Sequence, residues 1–326
     1  MASSSTDHWL FWSIMFGALG LGIFIGNLFT LVAFTTDVKL LRMRSSYFLI
    51  NLACADFIIG AVTIPMYIAL LTLHINNKTY QSAYTAIDIA SGFSSVFTLS
   101  TIALERLYVL CNPIQHRKGV NGMCYCASIA SVWILALLLS VLYFLYTHAI
   151  VQYQAFFYAM LSALTACILG LCTIYTAIWY KIKNRFSQSV GGHENKFAVT
   201  LFTITATFVL TWLPFHLLNV INYFCDFCLV ASLPHWVLFF SKFLHYANSF
   251  INPVIYSFRL PQFRRTVYGL VGIGIRRKKY AYRSTPHQLE EIPLQKMTDT
   301  VRSLNDVGEE VRKERGRWWG VSPHLP

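Results

Sequence analysis

Asp88 and Arg106 are ionisable residues that lie eighteen residues apart in one strongly apolar stretch of the chain. At about 3.6 residues per turn this spacing is five whole helical turns, so both side chains lie on one helical face, about 27 Å apart. Ser95 lies on the same face between them. An ionisable group near the centre of a membrane helix costs roughly 2.5–3.5 kcal/mol on insertion scales, which favours a functional role or a buried partner. The spacing therefore predicts an anion facing inward at one end of the helix and a cation facing inward at the other.

A second polar motif, Asn-Pro-Val-Ile-Tyr at residues 252–256, ends the last apolar stretch. Its proline removes a backbone hydrogen bond and clashes with the preceding turn. The side chains of Asn248, Ser249 and Asn252 need hydrogen-bond partners that lipid cannot supply. This helix is therefore expected to face other helices or water.

These residues must be positioned by membrane helices. Of the 326 residues, 56% are hydrophobic and 12% are charged, which excludes an ordinary soluble domain. Apolar stretches of 20 or more residues, each long enough to span a bilayer as a helix, occur at 9–34, 46–73, 84–110, 125–146, 156–180, 197–224 and 236–258. We therefore predict an all-α membrane protein, a seven-transmembrane-helix bundle.

Basic residues orient this bundle, because Lys and Arg accumulate in loops that stay cytoplasmic. They follow the first, third, fifth and seventh spans, as Lys39, Arg42, Arg44, Arg117, Lys118, Lys181, Lys183, Arg185, Lys196, Arg259, Arg264 and Arg265. This places the N-terminus outside and attributes most of the +12 net charge to topology rather than to nucleic-acid binding. The predicted divisions are a short extracellular N-terminus (1–8), the seven-transmembrane domain (9–258), a short amphipathic helix (259–275) and a disordered cytoplasmic tail (276–326).

Along residues 9–270 the chain resembles rhodopsin-like (class A) G-protein-coupled receptors. The resemblance rests on Asn-Pro-x-x-Tyr, on Glu105-Arg106-Leu107 (similar to the family's Asp/Glu-Arg-Tyr), on Trp212-Leu213-Pro214 (similar to Cys-Trp-x-Pro), and on Asn27 and Asp56. It implies a receptor, not an enzyme, that transmits the signal of an extracellular small molecule to a heterotrimeric G protein. It further implies a plasma-membrane location, with membrane lipid, arrestin and a receptor kinase as additional partners.

The same resemblance implies a switch in the cytoplasmic half of the bundle. Arg106, beside Glu105, is expected to pair with Glu194 in the resting state, although both side chains could instead reach the membrane interface. Pro214 is expected to kink the sixth helix and act as a hinge. The other predicted switch residues are Phe208, Trp212, Asn252, Pro253 and Tyr256.

A sodium site is also implied by the resemblance, with Asp56, Ser95, Asn248 and Asn252 as its members. Their oxygen atoms are ligands of the kind that small cations prefer. The alternative is a water-filled polar network that holds no ion. No other cofactor is expected.

Asp88 matches the acid that holds the amine in aminergic receptors, and Tyr246 falls where those receptors keep a tyrosine that steadies the acid. This favours a biogenic or trace amine as the ligand. A catecholamine is disfavoured, because Ala159 and Ala163 of the fifth span lack the required hydroxyl groups. The alternative is that Asp88 pairs with Lys242, one helical turn from Tyr246, which leaves no net charge for a ligand.

Other residues resemble adenosine receptors. His216 and Asn219 match the positions where those receptors keep a histidine and a purine-binding asparagine, and residues 225–228 resemble their third outer loop. A nucleoside receptor is therefore the alternative function. The predicted ligand site contains Asp88, Trp212, Phe215, His216, Asn219, Lys242 and Tyr246.

Two more remote ligand classes follow from departures in the sequence. Gln81 replaces the usual cysteine at the top of the third span, and the outer loop within 146–155 contains no cysteine, so the usual cross-bridge cannot form. These absences resemble the peptide-binding melanocortin receptors, although Gln81 and Thr85 replace the acids of that peptide site. An opsin would need its retinal-binding lysine at the position of Tyr246, and Lys242 lies one turn too far out.

Two covalent modifications are predicted on the outer side. Cys225 and Cys228 form the one plausible disulfide there, although such a closely spaced pair could equally stay reduced. Asn77 begins the sequence Asn-Lys-Thr, a glycosylation site in the appropriate compartment.

Overall fold

A computed structural model of the chain describes residues 2–41, 46–112, 122–185, 192–225, 233–270 and 272. Within these ranges the side chains are described except at 2–8, 182–185, 192–202, 204, 205 and 259. All regular structure in the described residues is helical. The predicted tail, 276–326, lies outside the described residues.

Ten α-helices follow one another along the described chain. They are α1 (Ala2–Thr36), α2 (Val38–Leu41), α3 (Ser46–Ile58), α4 (Ile64–Thr72), α5 (Lys78–Cys111), α6 (Gly122–Thr147), α7 (Tyr153–Arg185), α8 (Gly192–Phe224), α9 (His235–Arg259) and α10 (Pro261–Leu270). A π-helical turn, Ile59–Thr63, joins α3 to α4, so these two helices form one span. The predicted seven-helix bundle is confirmed. Its first helix also includes residues 2–8, which the sequence assigned to an N-terminal segment.

Five of the helices are long and apolar enough to cross a membrane: Trp9–Thr36, Ser46–Thr72, Lys78–Cys111, Gly122–Thr147 and Tyr153–Lys181. Helices α8 and α9, with 33 and 25 residues, also have the length that a bilayer of about 30 Å requires. The polar side chains of α9 that reduce its hydropathy are buried, namely Ser241, Lys242, His245, Asn248, Ser249 and Asn252. Polar residues thus face the interior of the bundle.

Helix α5 is the central helix of the bundle and packs against α3, α6 and α7. Its inward face is unusually polar, with Ser91, Ser94, Ser95 and Thr98 all buried. Large apolar side chains are instead exposed on the outside of the bundle, as on α6, where Leu138 is 58% exposed. This inverted pattern is expected when the surrounding solvent is lipid, because lipid satisfies apolar surface and not polar groups.

The π-helical turn of the second span is a feature that the apolar pattern did not predict. Pro65 lies just after the turn and cannot donate the backbone hydrogen bond that a continuous α-helix would need, which accounts for the irregularity. Gly60 in the turn lies directly against α1, since a Cβ atom there would be 2.7 Å from the backbone nitrogen of Phe24. Only glycine permits this close approach of the two helices.

Within the predicted amphipathic segment, 259–275, the described residues form the helix Pro261–Leu270. It begins after Leu260, whose extended backbone (φ −109°, ψ 94°) ends α9. A residue before proline is disfavoured in the helical conformation, which explains the break. Phe263 is buried between Phe34 of α1 and Tyr256 of α9, with ring centroids 5.9 and 6.0 Å away.

Asp37, which follows α1, connects α10 to the bundle through side-chain hydrogen bonds. Its Oδ2 atom accepts hydrogen bonds from Gln262 Nε2 at 2.6 Å and from Thr266 Oγ1 at 2.7 Å. Its Oδ1 atom accepts from the backbone N–H of Lys39 at 2.8 Å. The hydrogen bonds from Thr266 and Gln262 lower the pKa of the Asp37 carboxyl below its usual value.

At the outer end, aromatic packing holds α6, α7 and α8 together where the usual cross-bridge is absent. Tyr143 of α6 packs edge-on against Phe156 of α7, with ring centroids 5.2 Å apart. Phe157 of α7 stacks on Tyr223 of α8 at 3.8 Å and an interplanar angle of 12°. Such pairs contribute roughly 0.5–1.5 kcal/mol each beyond their area burial.

Candidate ligand site and switch residues

Asp88 of α5 and Lys242 of α9 form a buried ion pair. Lys242 Nζ donates to Asp88 Oδ2 at 2.6 Å, and the two side chains are only 7% and 12% exposed. The structure thus shows the alternative pairing of Asp88 with Lys242, and an amine held by Asp88 stays a prediction. The reason is geometric, because Lys242 is buried in the bundle and its long side chain reaches from α9 to α5.

Two aromatic rings fix the position of the Lys242 ammonium. It lies 4.4 Å from the ring centroid of Phe215 in α8 and 4.8 Å from that of Tyr246, one turn further along α9. Both distances are within the range of cation–π attraction. Phe215, Lys242 and Tyr246 of the predicted ligand site are therefore brought together around the ion pair.

The hydroxyl group of Tyr246 bonds to Tyr84, not to Asp88. The two phenolic oxygens are 2.8 Å apart, and both side chains are buried. Tyr67 stacks on Tyr84 with ring centroids 5.6 Å apart. This corrects the expectation that Tyr246 steadies the acid, and it identifies Tyr84 and Tyr67 as neighbours of the site that sequence reasoning missed.

Four rings from α8 and α9 form the wall beneath the ion pair. Trp212 stacks on His216 with ring centroids 5.1 Å apart and lies 4.4 Å from His245. Phe215 contacts both histidines, at 5.6 and 5.0 Å. His245 was not among the predicted site residues. Its position three residues after Lys242, on the same helical face, could have indicated that it belongs to the site.

Several buried polar atoms of this site have no hydrogen-bond partner among the residues that the structure describes. They are Asp88 Oδ1, Trp212 Nε1, His216 Nε2 and His245 Nδ1. Such atoms are rare in folded proteins, and a group of them marks a place where another molecule can complete the bonding. Asn219, half-buried one turn beyond His216 on α8, lies on the outer side of the group.

Below the ligand site, Trp212 contacts the predicted switch. Phe208 is fully buried one turn away, with its ring centroid 5.3 Å from that of Trp212. Phe93 of α5 contacts Trp212 edge-on at 6.1 Å. Pro214 lies inside α8 and interrupts its hydrogen bonding next to these rings.

A second polar cluster surrounds Asp56 in the second span. Asn252 Nδ2 donates to Asp56 Oδ2 at 2.7 Å, and Ser249 Oγ donates to Oδ1 at 2.8 Å. Asn27 Nδ2 donates to the carbonyl oxygen of Ser249 at 3.2 Å. Ser249 was not assigned to the predicted sodium site, and its position three residues before Asn252 could have indicated it.

The residues of this cluster suit a small cation only in part. The Asp56 carboxylate and the hydroxyl groups of Ser249 and Ser95 supply oxygen atoms, and Ser95 lies against the carboxylate without a well-formed hydrogen bond. Asn252 directs its amide nitrogen, not its oxygen, at Asp56. Asn248, four residues before Asn252 on α9, is also buried. The sodium site remains a prediction.

At the cytoplasmic end of α5, Glu105 and Arg106 lie side by side. Arg106 Nε is 3.9 Å from Glu105 Oε2, and Tyr125 of α6 donates to Glu105 Oε1 at 3.2 Å. Glu194 belongs to α8, but its side chain lies outside the described residues, so its pairing with Arg106 remains a prediction. Tyr256 is buried against Phe263 of α10.

Pro253, the proline of the Asn-Pro-x-x-Tyr motif, is buried inside α9 against α1. A Cβ atom on Gly26 of α1 would lie 3.2 Å from the Pro253 ring. Trp133 of α6 donates from Nε1 to Asn51 Oδ1 at 2.8 Å. Asn51 in turn donates to Thr98 Oγ1 at 2.8 Å and so links three spans.

The two predicted outer modifications are only partly described. Cys225 is disulfide-bonded, whereas Cys228 lies outside the described residues. Asn77 is the N-cap of α5, since its Oδ1 atom accepts from the backbone N–H groups of Thr79 and Tyr80 at 2.9 and 3.2 Å. Its glycosylation remains a prediction.

Comparison with known proteins identifies the family. The family model for the 7 transmembrane receptor (rhodopsin family) matches residues 26–256. The chain is similar to adenosine receptor A3 of Ovis aries, with 25% identity over 280 residues that cover 76% of this chain and 85% of the relative. It is also similar to adenosine receptor A3 of Canis lupus familiaris, with 22% identity over 278 residues, 76% and 86% of the two chains. The chain therefore belongs to the rhodopsin family of seven-transmembrane receptors, and it is a multi-pass membrane protein that couples an extracellular ligand to a G protein rather than an enzyme.

Proposed function

We propose that this receptor binds a small, uncharged, polar ligand of the nucleoside type. The site is the group of residues around Asp88, Lys242, Trp212, His216 and Asn219. The observation that carries the proposal is the 2.6 Å ion pair between Asp88 and Lys242, because it cancels the negative charge that an amine would require. Similarity to two adenosine receptors supports the same ligand class.

The polar atoms of the site fit such a ligand. His216 Nε2, His245 Nδ1 and Asp88 Oδ1 are buried and have no hydrogen-bond partner in the described part of the chain, so they can bond to the hydroxyl groups and ring nitrogens of a nucleoside. Phe215 is half-buried and offers an aromatic ring for contact with a flat base. An apolar ligand would leave these polar atoms unsatisfied, at a cost of roughly 1–3 kcal/mol each.

A biogenic or trace amine is the second candidate, and one observation favours it. Asp88 Oδ1 has no hydrogen-bond partner among the described side chains, while the other oxygen of the carboxylate is paired with Lys242. Oδ1 could therefore accept a hydrogen bond from a ligand ammonium. The amine would then lie beside the Lys242 ammonium. Repulsion between the two cations weakens this candidate.

In the proposed mechanism, the ligand prefers the active arrangement of the bundle and increases its population. Contacts at His216 and Trp212 would shift the ring of Phe208, and α8 would move outward about Pro214. Arg106 would then separate from Glu194, and Tyr256 would turn inward to open a cleft for the G protein. We further propose a plasma-membrane location, contacts with lipid, arrestin and a receptor kinase, and a sodium ion at Asp56 that favours the resting state.

The test is a second-messenger measurement in cells that express the receptor, with adenosine, inosine, tyramine and tryptamine as probes. We expect a nucleoside response that Asn219→Ala reduces at least about tenfold. Asn222→Ala is the matched control, because Asn222 lies one turn further along α8 with its side chain exposed. An amine response that Asp88→Asn abolishes, without any nucleoside response, would reject the nucleoside proposal in favour of the amine.

A further inference from the structure

The ion pair between Asp88 and Lys242 places a cation of the protein itself at the position where a ligand cation would bind. Lys242 Nζ lies 2.6 Å from Asp88 Oδ2, and the lysine side chain is 93% buried by its partners and neighbours, since only 7% of it is exposed. Its stem approaches from α9 and its ammonium reaches α5. A second ammonium at the same oxygen would have to displace the first, and one at Asp88 Oδ1 would lie beside the Lys242 ammonium and be repelled by it.

The surroundings of Lys242 make that displacement unfavourable. Near its ammonium lie the rings of Phe215 and Tyr246, at 4.4 and 4.8 Å, and neither ring carries a negative charge. The histidines of the site, His216 and His245, would offer at most neutral partners. Among the described salt bridges, Asp88 provides the only carboxylate that pairs with Lys242. A displaced Lys242 would therefore be a buried charge without a counter-ion, which is strongly unfavourable.

We propose that Lys242 is a counter-ion supplied by the protein itself and that it determines ligand specificity. Its pairing with Asp88 prevents organic cations from binding there, so that the site binds uncharged ligands with a hydroxyl or N–H donor. This inference rests on the proposed function, because it concerns the same site and the same class of ligand. It adds a residue that selects the ligand by charge. Asp88 Oδ1, for which the described residues supply no hydrogen-bond partner, is the acceptor for the ligand's donor group.

The test uses a small amine with the same atoms as the part of the Lys242 side chain that a substitution removes. Lys242→Ala removes Cγ, Cδ, Cε and Nζ of the side chain, which together correspond to n-propylamine. This amine is protonated at neutral pH, as is the lysine that it replaces. In Lys242→Ala, n-propylamine can therefore occupy the vacated volume and pair with Asp88.

The measurement is the thermal unfolding midpoint of purified receptor with and without n-propylamine, and n-propanol is the uncharged control. We expect n-propylamine to raise the midpoint of Lys242→Ala by about 2–4 °C, to leave wild type unchanged, and to leave the double variant Asp88→Asn/Lys242→Ala unchanged. Lys78→Ala is the matched lysine control, because Lys78 is exposed at the start of α5. It should behave as wild type does.

Three results would overturn the proposal. They are equal stabilisation of wild type by n-propylamine, equal stabilisation of the double variant, or equal effects of n-propanol and n-propylamine on Lys242→Ala. If Lys242→Ala does not fold alone, cells are grown with n-propylamine or with n-propanol. Recovery with the amine only supports the proposal, and recovery with both or with neither overturns it.

Failure of this inference and failure of the proposed function are distinguishable. Adenosine binding to the wild-type receptor tests the function and does not involve the variants. Selective binding of n-propylamine to Lys242→Ala tests the role of Lys242 and does not depend on which uncharged ligand is native.

Discussion

Asp56 and Asn252 lie 196 residues apart in the chain and are joined by a buried hydrogen bond of 2.7 Å. The second oxygen of the same carboxylate accepts from Ser249 at 2.8 Å. One acid of the second span thus accepts hydrogen bonds from two side chains of the last span. These two residues, Ser249 and Asn252, lie about one helical turn apart just before Pro253. A change at Asp56 should therefore reach the cytoplasmic end of α9, where Tyr256 lies.

If this cluster holds sodium, Asp56→Asn should abolish a sodium-specific gain in stability. We expect sodium chloride to raise the unfolding midpoint of wild type by about 2–4 °C relative to choline chloride at equal ionic strength. The variant should show no difference, because it lacks the negative charge. Asp37→Asn is the matched control, since Asp37 lies outside the spans. A sodium effect that persists in Asp56→Asn would exclude this cluster as its origin.

The hydrogen bond between Tyr84 and Tyr246 should appear as a coupling energy. Removing either hydroxyl leaves the other buried and unpaired, so Tyr84→Phe and Tyr246→Phe should each cost roughly 1–3 kcal/mol. The double variant leaves no unpaired hydroxyl group and should cost less than the sum. Chemical denaturation of the four purified proteins measures this difference. Strictly additive losses would mean that the two hydroxyl groups do not depend on each other.

Arg106→Ala should abolish nucleotide exchange on G proteins while the receptor still reaches the membrane. Arg106 lies beside Glu105 at the inner end of α5, where the G-protein cleft is proposed to open. We expect at least about a tenfold loss of exchange in membranes incubated with purified G proteins. Lys181→Ala, a change at an exposed basic residue near the end of α7, is the control. Undiminished exchange by Arg106→Ala would rule out the proposed switch.

Glu194→Ala should have the opposite effect on the receptor without ligand. If Glu194 holds Arg106 in the resting state, its removal should increase ligand-free exchange several-fold, by roughly the effect of an ion pair of about 1 kcal/mol. The same membranes measure it, with receptor number fixed by immunoblot. An unchanged basal rate would mean that this pair does not restrain the receptor.

The attachment of α10 should depend on pH through Asp37. Hydrogen bonds from Thr266 and Gln262 lower the pKa of Asp37 from its ordinary value of 3.8. Since the folded pKa lies below the unfolded one, the stabilisation is present at neutral pH and is lost as pH falls below about 4. Asp37→Asn should therefore be less stable than wild type by about 2 °C at pH 7 and equal to it at the acid limit. Midpoints measured from pH 3 to 7 test this, and a constant difference would contradict it.

The sequence by itself determined the bundle and the depth of its polar residues. Length and hydropathy of each span are local properties, and the eighteen-residue spacing of Asp88 and Arg106 fixes their relation along a single helix. The switch motifs likewise follow from order within a helix. The start of α10 could not be read from its amphipathic pattern, because the conformation of Leu260 before Pro261 decided where that helix begins.

Tertiary structure alone decided which polar groups pair. Lys242 meets Asp88 across 154 residues of sequence, and Tyr84 meets Tyr246 across 162. Each pairing depends on how two separate helices are rotated and how deep each lies in the bundle. A sequence shows on which face of its own helix a residue lies, but not which face of another helix lies opposite. In an apolar surrounding, each buried polar group must find a partner within reach. The arrangement of the bundle brings the Lys242 side chain of α9 to Asp88 of α5, and this pairing sets the charge of the proposed ligand site.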